Sequence, residues 1–442
     1  MIKDKQITEI ELMKFFLPIV AMTMLLVLSQ NVISSALAQT IAPAIALSAY
    51  SVGRGVAGII QAPCWALMKL TTASARYKKS AKNLLKVAMQ SGALVIAIML
   101  LISYTPLSKF VFINIMGIKP DMLTETLKVF KILMIMPIIL VFRITHQTFV
   151  ALRKKTIWLT IGTSLRVVTM VGLAYFITQT KIISGGKIGA IILLAGFGIE
   201  GIVALFKGRP WLKEAPEEKD NNQQILAIQK IWLIFFPLIF AQFIISSINS
   251  VISAGLSRSA DPTIAISSYF VAHTLAWIFI GMGFRVHQLV IVYVKDSTSF
   301  NTVRRFVYKI AIVMVLLLAV LAFTPLGSWV LTNLLNISPE IAVHAAKILK
   351  FFVVIPVALF VSELYQGVML KERNSAGITL CKIVNLASLC IVLFVLVALF
   401  PSLGSSIGGI SIACSYIAEA GTAFLLSRRY LNKKNSTIGS IA

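Results

Sequence analysis

The sequence predicts an all-α polytopic membrane protein: twelve transmembrane helices in two six-helix lobes, related by a pseudo-twofold along the membrane normal. Three observations predict it. Of 442 residues, 58% are hydrophobic and only 13% charged, against roughly a quarter charged in an ordinary soluble domain. Twelve apolar stretches are long enough to cross a bilayer, for which about 20 helical residues suffice. The two halves of the chain also repeat one another at a constant offset of 219 residues.

The apolar stretches run at 15–38, 45–70, 84–108, 124–152, 156–180, 187–206, 230–257, 264–294, 303–331, 341–370, 374–399 and 405–427. Lys3 and Lys5 precede the first, and Ala36-Leu37-Ala38 mimics a cleavage site. Its apolar run is nevertheless too long for the core of a signal peptide, so it reads as a retained span. The net charge of +25 would suggest nucleic acid in a soluble chain. Here the basic residues sit at the ends of apolar runs, where they fix orientation, and no nucleic-acid partner is expected. Connections after even spans are rich in them: Arg76, Lys78, Lys79 and Lys82 after the second, Arg153, Lys154 and Lys155 after the fourth, Lys295, Arg304 and Arg305 after the eighth. The segments 39–44 and 400–404 carry none. Both termini are therefore expected to be cytoplasmic, in what we read as a bacterial inner membrane. The polar stretch 207–229, with Pro210, Pro216, Glu214, Glu217, Glu218 and Asp220, reads as a cytoplasmic linker between an N-lobe at 1–206 and a C-lobe at 230–442.

The repeat holds its register without gaps. It pairs Pro18 with Pro237, Val32 with Val251, Pro43 with Pro262 and Tyr50 with Tyr269. Farther on it pairs Thr105-Pro106-Leu107 with Thr324-Pro325-Leu326, Pro137 with Pro356, Gln147 with Gln366, Gly189 with Gly408 and Glu200 with Glu419. Six spans per unit give both halves the same orientation, which is what predicts the pseudo-twofold normal to the membrane. Two lobes facing a central cavity are a recurrent build of alternating-access transporters. Pro18, Pro237, Pro137 and Pro356 each remove one helical hydrogen bond and are expected to permit bending, the first pair as gating elements.

The segment Ile33-Ser34-Ser35-Ala36-Leu37-Ala38 … Pro43-Ala44-Ile45-Ala46-Leu47-Ser48-Ala49-Tyr50 is echoed by Ile252-Ser253-Ala254-Gly255-Leu256-Ser257-Arg258 … Asp261-Pro262-Thr263-Ile264-Ala265-Ile266-Ser267-Ser268-Tyr269. Both resemble the first loop and second helix of a lobe in the MATE-like MOP superfamily of flippases and exporters. The pattern at 252–262 resembles most its progressive ankylosis (ANK) branch, and the runs beginning at Gln147 and Gln366 are similar to the family's hinge between fourth and fifth helices. The resemblance implies a two-lobed exporter with a central site, and in the ANK branch efflux of pyrophosphate, nucleoside triphosphate or citrate. The chain departs from the drug-exporting pattern: 15–38 and 230–257 contain no Asp or Glu.

A charge at the centre of a span costs about 2.5–3.5 kcal/mol on insertion scales, so each embedded charge is a functional candidate. Arg54 lies roughly 15 Å into the second span, and the offset matches it with His273 of the eighth. Arg143, His146 and Gln147 share one face of the fourth helix, Glu363 and Gln366 the matching face of the tenth. Arg166, Arg285, His287 and Lys382 complete the embedded basic set, Lys382 and Arg285 within snorkelling reach of the interface. Glu200 and Glu419 read as structural partners of neighbouring basic groups. Because embedded bases outnumber the acids Glu200, Glu363 and Glu419, a small anion is the expected substrate, received by Arg54, His273, Arg143, His146 and Arg166. Glu363, Gln147, Gln366, Pro18 and Pro237 are the candidates for coupling or gating, with a proton or sodium as possible coupling ion. Cys64, Cys381, Cys390 and Cys414 lack metal-like spacing. No phosphate-binding loop, zinc helix or serine elbow is present. No enzyme, metal or cofactor is expected. The functional expectation is a secondary exporter; a lipid-linked sugar flippase, a cation-coupled multidrug antiporter and a non-transporting membrane scaffold are the alternatives.

Overall fold

The computed structural model describes residues 8–40, 42–116, 118, 120–217, 226–256, 258–259, 261–334, 337 and 339–438. Ser257, and Glu218 and Asp220 of the linker, lie outside the described residues. The chain divides into two compact units, one of Phe15–Phe243 and one of Met1–Lys14 with Ile244–Ala442.

In the first unit the helices are α1 Glu9–Ala38 (from Phe15 on), α2 Pro43–Ile60, α3 Ala62–Ser74, α4 Lys78–Tyr104, α5 Pro120–Leu133, α6 Met136–Leu152, α7 Ile157–Thr180 and α8 Lys187–Gly208. The second repeats the plan with α9 Ile228–Leu256 (from Ile244 on), α10 Pro262–Ile280, α11 Val286–Tyr293, α12 Ser297–Phe323, α13 Pro339–Phe352, α14 Ile355–Lys371, α15 Ser375–Leu399 and α16 Ser406–Ile438. Taken with their breaks, these helices follow the twelve apolar stretches in order. Eight stretches among the described residues are long and apolar enough to cross a membrane. A ninth follows if α13 and α14, bent by 42°, form one span.

Four of the stretches are interrupted, the eighth without loss of a span. The second stretch, expected to be continuous, breaks at Gln61, because Pro63 has no N–H to carry the hydrogen-bond ladder across and sits instead in the first turn of the next helix. Its repeat mate breaks at the 3₁₀ turn Gly281–Arg285, where Gly281 and Gly283 weaken the helix. The fourth and tenth stretches break just before Pro137 and Pro356, as their prolines led us to expect. Pro18 and Pro237 behave differently: each lies inside a continuous helix. Near Pro18 the Thr156 and Thr160 hydroxyls donate to the carbonyls of Phe15 (2.8 Å) and Pro18 (2.5 Å), which ties this part of α1 to the start of α7.

The connection between fourth and fifth stretches turns through the same left-handed residue in both units, Lys154 at φ 58° and Arg373 at φ 60°. In the second, the Asn374 side chain then caps α15 by accepting from the Gly377 N–H at 2.9 Å. The described part of the 207–229 segment is tied down: Arg153 holds Glu214 through two 2.7 Å bonds, Trp211 donates to the Ala75 carbonyl, and Asn83 donates to the Leu226 carbonyl. Large apolar side chains such as Leu233, Phe240, Tyr175 and Leu316 stand exposed along the helices, as a lipid-facing surface requires.

Candidate functional site

Each unit buries a carboxylate among polar side chains, and the two clusters are repeat mates. In the first, Glu200 rises from α8 and is buried. Arg143 and Gln147, one turn apart on α6, reach it at 2.8 and 2.7 Å. From α7, Thr163 donates at 3.0 Å and Arg166 at 3.4 Å. A second Arg166 nitrogen donates to Ser29 of α1 at 3.0 Å. Both guanidiniums also lie on the Phe197 ring, at 4.3 and 3.9 Å from its centroid, and Arg143 lies near Trp65 of α3. Such contacts favour a desolvated cation. Two guanidiniums thus share one carboxylate, and the ionised cluster is one charge positive.

In the second unit Glu419 of α16 occupies the Glu200 position. Gln366 and Ser362 of α14 donate to it at 2.7 and 2.9 Å, Asn385 of α15 at 2.9 Å, and Lys382 forms an ion pair with it. The 219-residue offset matches every partner: Arg143 with Ser362, Gln147 with Gln366, Thr163 with Lys382, Arg166 with Asn385. The carboxylate and glutamine are kept, and the cations are permuted. The second unit adds Glu363, beside His287 Nδ1 at 2.9 Å and 3.8 Å from Lys382. The offset puts Ile144 and Met68 at the Glu363 and His287 positions in the first unit.

Of the residues expected to receive substrate, the structure therefore brings together Arg143 and Arg166, in a buried ion-paired network. Glu200 takes the structural partner role assigned to it. Arg54 is half-buried on α2, donating to Tyr50 Oη at 3.1 Å and close enough to Arg166 for their charges to repel. His146 leaves the face it shares with Arg143. Its Nδ1 lies 2.8 Å from the Phe142 carbonyl, its ring packs on Phe142 and Phe149, and its backbone abuts Gly208. His273, half-buried in the other unit, stacks on Trp277 at 4.2 Å and borders Tyr269 and Phe352. Lys382 is not a snorkelling residue but a buried member of the Glu419 cluster, and His287 belongs to the same group. No sequence signal marked the contact of His287 with Glu363, because they lie 76 residues apart on different helices. Among the described residues no group of three metal-ligating side chains converges.

No family model and no curated protein matches the sequence; similarity shows in structure. A MOP superfamily transporter from Pyrococcus furiosus, described as having a binding pocket of reversed polarity that suggests a different function, is 15% identical with a TM-score of 0.70, over 97% of this chain and 96% of its own. A point mutant of the Vibrio cholerae MATE transporter VcmN is 14% identical with a TM-score of 0.72, over 97% and 98%. A multidrug resistance MATE family transporter in an outward-facing conformation is 16% identical with a TM-score of 0.71, over 96% of each chain. Over nearly its whole length, then, this chain has the polytopic helical fold of the MATE transporters of the MOP superfamily.

Proposed function

We propose that the chain is a secondary-active exporter of small organic or phosphorylated anions, working by alternating access. The observation that carries the reading is the first unit's surplus of positive charge. Arg143 and Arg166 share Glu200, and the Nε atoms of both are buried with no acceptor among the described residues. An anion near Arg54 would offset the charge left over. We assign the negative charge of the substrate to Arg54, Arg143, Arg166 and His146 of the first unit and to His273 of the second, Arg143 and Arg166 acting through their surplus charge. Gln147, Gln366, Glu363, Pro18 and Pro237 are assigned to coupling or gating. The same reading places the chain nearest the progressive ankylosis branch, with lobes 1–206 and 230–442, a linker at 207–229 and both termini on the cytoplasmic side of a bacterial inner membrane. The absence of Asp and Glu from 15–38 and 230–257 argues against drug antiport of the usual kind, which the fold alone would suggest.

Proteoliposomes test this. Vesicles loaded with pyrophosphate, citrate or a nucleotide should release the anion under an ion gradient, and Arg54→Gln should slow release at least tenfold while the folded yield stays unchanged. Movement of a labelled polyprenyl lipid, or of a cationic dye, without anion release would replace this reading by the flippase or the antiporter. A protein that moves none of them under any gradient would be a scaffold.

A further inference from the structure

The second unit holds a group of ionisable side chains for which anion binding has no use. Glu363 on α14 is buried and faces His287 of α11, Lys382 of α15, and Glu419 with Tyr416 of α16. Glu363, His287, Lys382 and Glu419 are each no more than 1% exposed. Two carboxylates and one ammonium leave a net negative charge, which the low-dielectric interior penalises strongly. The fourth member decides the balance. With His287 protonated, or with its proton handed to Glu363 across the 2.9 Å contact, the charges of these four side chains sum to zero; without that proton they sum to one negative charge. We infer that His287 and Glu363 form a binding site for one exchangeable proton, held between His287 Nδ1 and Glu363 Oε2, with Lys382 and Glu419 fixing the charge of the surroundings.

The first unit supports the assignment by contrast. At the matching repeat position Glu200 is held by two guanidiniums, which stay charged at any physiological pH, and the positions matching Glu363 and His287 are Ile144 and Met68. Nothing in that cluster can take or yield a proton near neutrality. In the second unit the cations are an ammonium and an imidazole, and imidazole is the side chain whose charge changes between pH 5 and 8. A proton is favoured over a metal cation because the Glu419 oxygens are already taken by Lys382, Gln366, Ser362 and Asn385. The proton balance is simple: uptake adds one proton to the imidazole or carboxylate, and release returns it to water. The role of this proton as coupling ion rests on the exporter reading, whereas the site itself does not.

The test reads the protein alone, so failure of anion export and failure of the proton site are separate results. Purified full-length protein in lipid nanodiscs is taken through a pH series by infrared difference spectroscopy, with ring-labelled histidine to separate imidazole bands from carboxyl bands. Wild type should show a transition in which histidine and carboxyl bands change together. Glu363→Gln and His287→Asn should each abolish it, and Glu125→Gln, at a half-buried carboxylate of α5 paired with Lys128, should leave it intact. Because a single change could unfold the unit by stranding its partner, Glu363→Gln/His287→Gln, which keeps two neutral hydrogen-bonding groups, is measured alongside and should also lack the transition while eluting as folded protein. Superimposable spectra from wild type and this double variant, or a transition that appears only with sodium, would overturn the assignment.

Discussion

At Glu200 and Glu419 one residue type at one repeat position is stabilised by different chemistry, and the difference sets what each tolerates. Glu200 faces two arginines, so Glu200→Gln leaves both guanidiniums buried against a neutral amide. Removing one partner of a buried pair costs about 3–5 kcal/mol, and here two charges lose their partner. Glu419→Gln leaves Lys382 with Glu363 still 3.8 Å away, a partial substitute. Thermal unfolding in detergent should therefore fall further for Glu200→Gln than for Glu419→Gln. Adding Arg143→Ser to Glu200→Gln, which installs the residue found at 362, should recover part of the loss; equal losses, or no recovery, would show that the arginines do not depend on Glu200. The pairing of both glutamates with basic neighbours was legible in the sequence, since an embedded acid needs a partner. Which base pairs with which acid was not: Arg143, Arg166 and Lys382 reach their carboxylates across 57, 34 and 37 residues, and only packing selects among them.

Helix-to-helix contacts are where the repeat is kept most strictly. Gly189 of α8 lies against Tyr50 and Ile33, and Gly408 of α16 lies against Tyr269 and Ile252, each neighbour 219 residues from its mate. A Cβ at Gly189 would come within 2.7 Å of the Tyr50 ring, and one at Gly408 within 2.8 Å of the Tyr269 ring. Overpacking of this kind costs about 1–3 kcal/mol. Gly198 and Gly421, on the same two helices, have open space where a Cβ would go, and alanine there gains helix propensity of about 1 kcal/mol. Melting temperatures should thus drop for Gly189→Ala and Gly408→Ala by similar amounts and hold or rise for Gly198→Ala and Gly421→Ala. A matched drop in all four would mean that helix flexibility, not ring contact, is what these glycines provide. At this scale the sequence was informative for helices and for the breaks before Pro137 and Pro356. It did not mark the breaks at Gln61 and Gly281, because hydropathy runs unbroken across both.

For the molecule as a whole, the offset survives in backbone geometry while the chemistry has diverged: left-handed turns at Lys154 and Arg373, breaks at matching positions, but arginines in one unit and a lysine–histidine group in the other. The expected orientation in the membrane rests on the alternation of base-rich and base-poor connections along the chain. Retention of Lys and Arg on the cytoplasmic side predicts the segments around Lys154 and Lys295 inside and those around Gln39 and Asp261 outside. All four positions are accessible enough to carry a reporter. Cys64 and Cys381 are buried, Cys390 and Cys414 half-buried, and a background with all four replaced by alanine or serine removes competing thiols. In intact cells a membrane-impermeant maleimide should then label single cysteines at 39 and 261, and should reach those at 154 and 295 only after the membrane is opened. Labelling of 154 and 295 from outside would invert the topology, and with it the direction in which an anion bound near Arg54 is carried. Labelling of 39 from one side and 261 from the other would mean that the two repeats are inserted in opposite senses, so that six spans per unit could not be correct.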